Sequence, residues 1–217
     1  MRSSLLEALG SAEREALASR LKRRSFHRGQ VVFNDGDRGD CLHLVQSGRL
    51  EVQLSAPSGN TITVRVVQPG EFVGELSLVH DTNRRTGRVL ALEPAETLTL
   101  YRSDFDELRR TQPGVDRLLV TALAERVVQM SALTVELMLP PDQRIWRRLA
   151  VLAEAYGNEP IRMSQDDLAH AAGTVRQTAN RVLKHAAHLG IVSVERGVIR
   201  VLDRTALQGE PPSIKTA

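Results

Sequence analysis

The stretch EFVGELSLVHDTNRRTGRV, residues 71 to 89, places a glycine beside a carboxylate and, after a short loop, an arginine pair beside a threonine. Gly74 lets a backbone N–H approach an anion without a side chain in the way. Arg85 can bind a phosphate with two parallel hydrogen bonds, and Thr86 adds a hydroxyl group. Glu75 repels phosphate but accepts a hydrogen bond from a sugar hydroxyl. The stretch therefore predicts a site for a phosphate joined to a ribose.

Short strands surround this stretch from Gln30 to Tyr101. The segments RLEVQLS, TITVRVV and ETLTLY alternate apolar and polar residues, which is typical of half-buried strands. Turns rich in glycine, proline, asparagine and aspartate separate them, so the pattern predicts an antiparallel sandwich or jelly roll. A helix is expected before the strands, from about Leu5 to Leu21.

A long helix is predicted after the strands, because residues 115–139 contain neither glycine nor proline. Its length would be about 37 Å. One face carries a heptad-like apolar series: Leu119, Leu123, Met130, Leu133 and Leu137. A small β domain cannot cover so long a helix, so we expect a second copy of the chain on this face. Arg126 interrupts the series and Pro140 ends the helix, which predicts a dimer contact followed by a domain boundary.

The segment SQDDLAHAAGTVRQTANRVLKHAAHLG, residues 164–190, predicts two helices that meet in a tight turn at Gly173. Residues near the start of the second helix of such a pair reach base edges in DNA. The outward residues there are Arg176, Gln177 and Arg181. Arginine pairs well with guanine and glutamine with adenine. We expect phosphate contacts from Thr178, Lys184, Ser164 and Gln165. A two-stranded wing should follow, with its turn near residues 196–197.

The charge of the chain is concentrated in this region. Residues 171–202 contain five basic residues and one acidic residue, whereas residues 1–139 contain 18 of each. A local basic face of this kind suits a polyanion such as DNA.

Composition excludes several classes of protein. The single cysteine, Cys41, cannot form an internal disulfide or hold an iron–sulfur cluster alone, which favours a reducing cytoplasm. We expect no signal peptide and no membrane span, because no run approaches 18 apolar residues. Haem is not expected, although Cys41, His43 and His80 are ligands by type. The histidines do not pair at metal-binding spacings, and phosphate-loop and serine-nucleophile motifs are absent, so we expect no metal and no enzyme.

Together these motifs resemble the cyclic-AMP receptor protein and fumarate–nitrate regulator (CRP/FNR) family of bacterial transcription factors, over about residues 15 to 207. FVGELSLVHDTNRRT is similar to the phosphate-binding cassette of that family. The resemblance implies that Gly74 and Glu75 contact the ribose and that Arg85 and Thr86 contact the cyclic phosphate. The full ligand-binding set it implies is Gly74, Glu75, Leu76, Arg85, Thr86, Val64, Gln129 and Met130.

Two positions depart from the family pattern. The base-contacting Thr-Ser pair of the long helix falls on Gln129 and Met130, which leaves adenine selectivity open. Gln177 replaces a glutamate that accepts a hydrogen bond from cytosine, so we expect a changed operator at that base pair.

The resemblance implies an α+β architecture: a cyclic-nucleotide-binding β-roll (jelly roll) at 1–112, a dimerisation helix at 113–139, a C-terminal winged helix-turn-helix at 140–207 and a flexible tail at 208–217. The expected protein is a cytoplasmic homodimer that binds pseudo-palindromic double-stranded DNA. It needs no obligatory cofactor, and its effector is a cyclic nucleotide, with cyclic AMP preferred over cyclic GMP. RNA polymerase is the expected partner, touched near Tyr156 to Pro160.

Three alternatives stay open at this point. The chain could be a regulator of the same family that needs no ligand. It could respond to another nucleotide, such as cyclic GMP or cyclic di-GMP. It could also be a β-roll binding module of a signalling complex that does not bind DNA.

Overall fold

The computed structural model describes residues 9–55 and 61–209, which form two compact units. The first unit holds the described residues of 1–54 together with 64–130. Its elements up to the long helix are α1 (Ser11–Ala18), β1 (Lys22–Phe26), β2 (Val31–Phe33), β3 (Cys41–Ser47), β4 (Leu50–Ser55), β5 (Thr61–Val67), β6 (Phe72–Val73), α2 (Leu76–Val79), β7 (Arg88–Ala91), β8 (Ala95–Tyr101) and α3 (Arg102–Thr111).

The strands form two four-stranded sheets, ordered β1-β8-β3-β6 and β2-β7-β4-β5. Neighbouring strands run antiparallel, with Leu44 of β3 opposite Leu98 of β8 and Val52 of β4 opposite Val89 of β7. Apolar side chains from both sheets share one buried cluster: Phe26, Val45, Leu50, Val67, Val73, Val89, Ala91 and Ala95. The predicted jelly roll is therefore confirmed, because the inward-facing residues of both sheets leave water together.

The helix at the start of the chain is shorter than expected at its C-terminal end. It stops at Ala18 instead of Leu21, and residues 5–8 of the predicted helix lie outside the described residues. The short helix α2 was not foreseen, since its four residues lie inside the stretch that the sequence presents as a loop.

The long helix, α4, spans Pro113–Leu137. It begins at Pro113, the first residue of the expected dimerisation helix and two residues before the run without glycine or proline, because proline is well tolerated in the first turn of a helix. It ends two residues before the predicted Leu139, where the N–H groups of Met138 and Leu139 bond three residues back instead of four. Pro140 disfavours a helical conformation at the preceding residue, which explains the earlier end.

Buried and exposed apolar residues occupy different parts of α4. Its buried residues lie in the first half and include Val115, Leu118 and Leu119. Leu119 belongs to the core of its own unit, so the predicted heptad series is not one continuous dimer seam. A different set of apolar residues is exposed and recurs at helical spacing, which we call the exposed stripe: Val120, Val128 and Val135.

By length and composition alone, α4 is long and apolar enough to cross a membrane. The expectation of no membrane span considered only uninterrupted apolar runs. The mean hydropathy of a helix can be high even when polar residues interrupt those runs. Glu125 and Arg126 lie near the middle of α4, where charge in a bilayer is costly. One apolar helix of this kind is also common in proteins whose helices pack against protein.

The second unit holds the described residues of 55–63 and those from 131 onward. Beyond the end of α4 it contains α5 (Pro141–Tyr156), α6 (Gln165–Ala171), α7 (Arg176–His188), β9 (Val192–Glu195), β10 (Val198–Val201) and α8 (Arg204–Gln208). Trp146, Leu149, Leu168 and Leu183 are fully buried among these helices. The pattern is the expected winged helix-turn-helix. Helix α8 ends at Gln208, the first residue of the predicted tail. Residues 210–217 of that tail lie outside the described residues.

Candidate ligand pocket and nucleic-acid interface

A cavity of about 260 Å³ opens in the first unit between the β-roll and α4. Its walls come from β5, the turn before α2, the loop before β7 and the α4 segment around residues 126–130. All eight residues of the predicted ligand set line it: Val64, Gly74, Glu75, Leu76, Arg85, Thr86, Gln129 and Met130. Folding thus brings together residues that lie up to 66 positions apart in the chain.

Gly74 lies in the wall of this cavity, at the turn before α2. Its φ angle of +91° lies in the region that favours glycine. A Cβ atom at this position would come within 2.5 Å of Nη1 of Arg85 and 3.2 Å of the Cys41 carbonyl oxygen. Only glycine therefore allows the Arg85 guanidinium to lie against this turn.

Arg85 is buried and holds a fixed position. Its Nη1 donates hydrogen bonds to the carbonyl oxygens of Cys41 (2.7 Å) and Gly74 (3.1 Å) and to Oγ of Ser77 (2.9 Å). Its guanidinium carbon lies 4.1 Å from the centre of the Phe33 ring. Sequence reasoning found Arg85 but missed Ser77 and Phe33, since a serine in a short helix and a phenylalanine in a strand carry no distinctive pattern.

Glu75 is also buried, and its Oε1 accepts a hydrogen bond of 3.1 Å from Nη2 of Arg126. Burial raises the pKa of the Glu75 carboxyl, and the positive charges of Arg65 and Arg85 oppose that rise. The role predicted for Arg126, an interruption in a dimer seam, is corrected. Its side chain points from α4 to the β-roll, because it pairs with an acid 51 residues earlier.

Arg65 is the third arginine that lines the cavity, and it has an acidic partner. Nη2 of Arg65 lies 3.2 Å from Oε2 of Glu71, and the same side chain donates to the Phe72 carbonyl oxygen. Arg65 and Arg126 each have a carboxylate partner, whereas among the described residues no carboxylate lies within ion-pair distance of Arg85. The pocket thus carries one uncompensated positive charge, and it lies on Arg85.

A buried polar cluster lies behind Arg85 in the β-roll. Sγ of Cys41 lies 3.3 Å from Nη2 of Arg85 and 3.7 Å from Nε2 of His43. Nδ1 of His43 lies 3.1 Å from Oγ1 of Thr97 and 3.2 Å from Oγ1 of Thr99. Burial raises the pKa of the Cys41 thiol. Burial, together with the charge of Arg85, lowers the pKa of His43 to about 4.

His43 predicts a loss of stability in acid. As pH falls from about 6.5 to 4, the unfolded chain binds a proton at His43 and the folded chain does not, so the free energy of unfolding falls by up to about 1.4 kcal/mol per pH unit. We expect His43→Gln to remove this slope. Urea denaturation at several pH values between 7 and 4 measures it. His27→Gln, at an exposed histidine, should keep the wild-type slope, and equal slopes in His43→Gln and wild type would contradict the assignment.

The second unit presents the residues predicted to read DNA. Arg176, Gln177, Arg181 and Lys184 are exposed on α7, and Thr178 is partly exposed. The turn before α7 is set by Gly173, whose φ is +58°. The two helices pack against each other beneath this surface through apolar side chains that are all buried: Leu168, Ala169, Ala172, Val182 and Leu183.

One contact of this surface was not foreseen. Nη1 of Arg176 lies 3.2 Å from Oδ2 of Asp166 on α6, so this arginine has an acidic partner across the turn. Ser164 caps α6 as predicted, accepting a hydrogen bond from the Asp167 N–H at 3.1 Å. Its oxygen is therefore already engaged, which leaves its hydroxyl hydrogen for a phosphate. Gln165, the first residue of α6, is partly exposed beside it.

Comparison with known proteins agrees with both sites. Residues 23–112 match the family model of the cyclic nucleotide-binding domain, and residues 143–210 match that of the Crp-like helix-turn-helix domain. The chain is 31% identical over 210 residues to a protein named cyclic AMP receptor protein from Thermus thermophilus, with 95% of both chains covered.

Solved structures give the same result. The Thermus thermophilus catabolite activator protein is 30% identical, with a TM-score of 0.55 over 95% of this chain and 97% of that one. The regulator CLP of Xanthomonas campestris, described as responsive to cyclic di-GMP, shares the fold at 23% identity, with a TM-score of 0.76 over 89% of this chain and all of that one. With a nucleotide-type pocket in one unit and a basic helix-turn-helix in the other, this chain belongs to the CRP/FNR family of DNA-binding transcription regulators.

Proposed function

We propose that the chain acts as a cytoplasmic, non-catalytic homodimer whose DNA binding is controlled by a cyclic mononucleotide, with cyclic AMP as the first candidate. The observation that carries the proposal is the buried Arg85 guanidinium, which faces the cavity with no carboxylate partner among the described residues. A cyclic phosphate carries one negative charge and would neutralise it. The match to a cyclic AMP receptor protein along 95% of both chains supports the same ligand.

Each part of the ligand has a partner in this proposal. The phosphate accepts hydrogen bonds from Arg85, from Thr86 and from the backbone beside Gly74. The ribose hydroxyl donates to Glu75, which can accept it while bonded to Arg126 because a carboxylate has several lone pairs. The base lies against Gln129 and Met130, where the Gln129 amide can bond to a purine edge.

The size of the cavity favours a mononucleotide. The cavity volume of about 260 Å³ lies just below the usual range for small-molecule sites, which is roughly 300 to 1,000 Å³. A cyclic dinucleotide is about twice as large as a cyclic mononucleotide and would need a different or wider site. Cyclic di-GMP is therefore a weaker candidate for this chain, while cyclic GMP fits as well as cyclic AMP by volume.

The Glu75–Arg126 pair gives the ligand a route to α4. The carboxylate belongs to the ribose site, and the guanidinium belongs to the helix that precedes the DNA-reading unit in the chain. A ligand bonded to Glu75 changes the strength and geometry of this pair, and thereby the position of α4 that is most stable. Control of DNA binding requires that the ligand bind one arrangement more tightly than the other.

The exposed stripe of α4 supports a homodimer. Its residues Val120, Val128 and Val135 are each more than 60% exposed, which is unusual for large apolar residues along one helix face. A two-fold dimer through this face would present two α7 helices to half-sites about 34 Å apart. RNA polymerase would then touch the turn after α5 at residues 157–160, while Tyr156, which the prediction included in this exposed turn, is buried.

A regulator that needs no ligand is the second candidate, and one observation favours it. Nη1 of Arg85 already donates to three protein acceptors, so the arginine is held in place by the β-roll itself. In that case the cavity is a structural remnant, and DNA affinity follows the concentration of protein alone.

Selection of bound duplexes from random DNA, with and without cyclic AMP or cyclic GMP, tests the proposal. The expected result is a pseudo-palindrome that is enriched more strongly with one nucleotide. Equal enrichment in all conditions supports the second candidate. No enrichment of any sequence at low salt contradicts both.

Arg181 predicts a local loss of specificity on the selected operator. Arg181→Ala should weaken binding by about 10-fold and relax the preference at one base pair of each half-site, because one bidentate base contact is lost. Lys184→Ala is the matched comparison on the same helix. It should weaken binding to all sequences alike and reduce the salt dependence, since a phosphate contact carries no sequence information. Titrations at several salt concentrations distinguish the two, and identical behaviour of both variants would contradict the roles.

A further inference from the structure

Val175 is an apolar residue at the tip of the DNA-reading helix. It is the N-cap residue of α7, with φ of −100° and ψ of 152°, and it is 62% exposed. Across residues 165–188, all of which the structure describes, it is the one large apolar side chain among the exposed ones. Its backbone is extended, so the side chain lies beyond the end of the helix.

This valine does not serve the stability of α7. Helices strongly prefer serine, threonine, aspartate or asparagine at the N-cap, because a side-chain oxygen can accept a hydrogen bond from a free backbone N–H. Val175 makes no such bond. The neighbouring helix α6 shows the preferred arrangement, with Ser164 as its cap. The side chain of Val175 also lacks the buried surroundings that would justify an apolar residue.

The surroundings of Val175 select the kind of partner. Arg176, Arg181 and Lys184 are exposed on the same helix, and Gln177 lies beside them. A hydrophobic protein contact needs a contiguous apolar patch. A single exposed valine surrounded by cations does not provide one. In the major groove of DNA, by contrast, the C5-methyl group of thymine is an apolar feature on a polyanion.

We propose that Val175 contacts the C5-methyl group of a thymine in each half-site and thereby determines thymine at that position. The contact would lie next to the base pairs read by Arg176 and Gln177, because residues at the start of a recognition helix reach neighbouring bases. This inference rests on the proposed reading of DNA by α7. It adds a base that the hydrogen-bonding side chains alone do not specify.

Uracil substitution tests the proposal, since deoxyuridine differs from thymidine only by the missing methyl group. The selected operator is prepared with uracil at one thymine position of both half-sites, each position in turn. For wild-type protein, affinity should fall by about threefold per half-site at one position, or about tenfold for both, as expected for one buried methyl group per contact. Val175→Ser should bind the thymine and uracil forms of that operator equally.

Two controls separate this result from a structural effect. Val175→Ser should melt at the same temperature as wild type or higher, because serine is the better N-cap. Leu189→Ser, at an exposed leucine at the opposite end of α7, should keep the wild-type thymine preference.

The outcomes distinguish this inference from the proposed function. An operator in which no uracil substitution matters, or a thymine preference that persists in Val175→Ser, overturns the role of Val175 and leaves DNA reading intact. Failure to select any DNA sequence overturns the proposed function itself. A uracil-sensitive position that loses its sensitivity only in Val175→Ser supports the inference.

Discussion

Cyclic-nucleotide binding is expected to weaken by about 100-fold or more when Arg85 is replaced by alanine. The guanidinium is the one uncompensated positive charge of the pocket, and truncating one partner of a buried, hydrogen-bonded charge pair costs about 2–5 kcal/mol. The phosphate would then enter a buried site with no cation to balance it. Isothermal calorimetry with cyclic AMP and cyclic GMP measures the change.

The neighbouring arginine provides a matched control. Arg84 is exposed and its guanidinium donates a hydrogen bond to the Gly36 carbonyl oxygen, so Arg84→Ala should change affinity by less than about twofold. Arg85→Lys keeps the charge but loses the planar fork, and it should fall between the two.

Arg85 also supports the fold, so the structural effect must be separated from the binding effect. Its bonds to Cys41, Gly74 and Ser77 join three parts of the β-roll, and their loss should lower the melting temperature of Arg85→Ala. Circular dichroism below that temperature shows whether the variant is folded when binding is measured. A folded Arg85→Ala protein that binds cyclic nucleotide as tightly as wild type would refute the phosphate assignment.

The second large effect is expected in the exposed stripe of α4. Val128 is 69% exposed in the single chain, and in the proposed two-fold dimer each copy would be buried against the partner. Val128→Asp places two unpaired carboxylates in this interface, where an unpaired buried charge costs several kcal/mol. We expect the dimer dissociation constant to rise by at least about 100-fold, and operator affinity to fall with it.

Sedimentation equilibrium measures the dimer constant, and Val151→Asp is the matched control. Val151 is an exposed valine on α5, outside the stripe, so the same chemical change there should leave the dimer intact. A Val128→Asp protein that stays dimeric at the wild-type concentration would show that this face of α4 is not the interface.

Much of the architecture could be predicted from residues that are close together in the chain. The alternating residues of β5 predicted a strand correctly, although its buried residues are Thr63 and Val67, and Ser164 with Asp167 specifies the start of α6. Gly173 specifies a turn because other residues are strained at its positive φ. In each of these, the deciding interactions join residues within about four positions, so they are present in any fold of the same segment.

Predictions failed where neighbours in sequence do not decide the outcome. Leu119 fits a heptad series, yet it is buried in its own unit, because several partners compete for an apolar helix face. Helix α2 has only four residues, which is too few to show an apolar pattern with a helical period, and turn residues follow it. The start of α4 at Pro113 agrees with the expected dimerisation helix, but its end at Leu137 lies two residues before the predicted one, which follows from the effect of Pro140 on the residue before it.

By itself, the sequence predicted the two modules and the long helix between them from local period, capping and turn residues, while the eight predicted pocket residues followed from the resemblance to the CRP/FNR family. Only the tertiary structure decided that Arg126 pairs with Glu75, that Arg65 is neutralised by Glu71 and that Arg85 therefore keeps the one open charge. The physical reason is that an ion pair depends on distance and burial in space. Residues 51 positions apart acquire both only when the chain has folded.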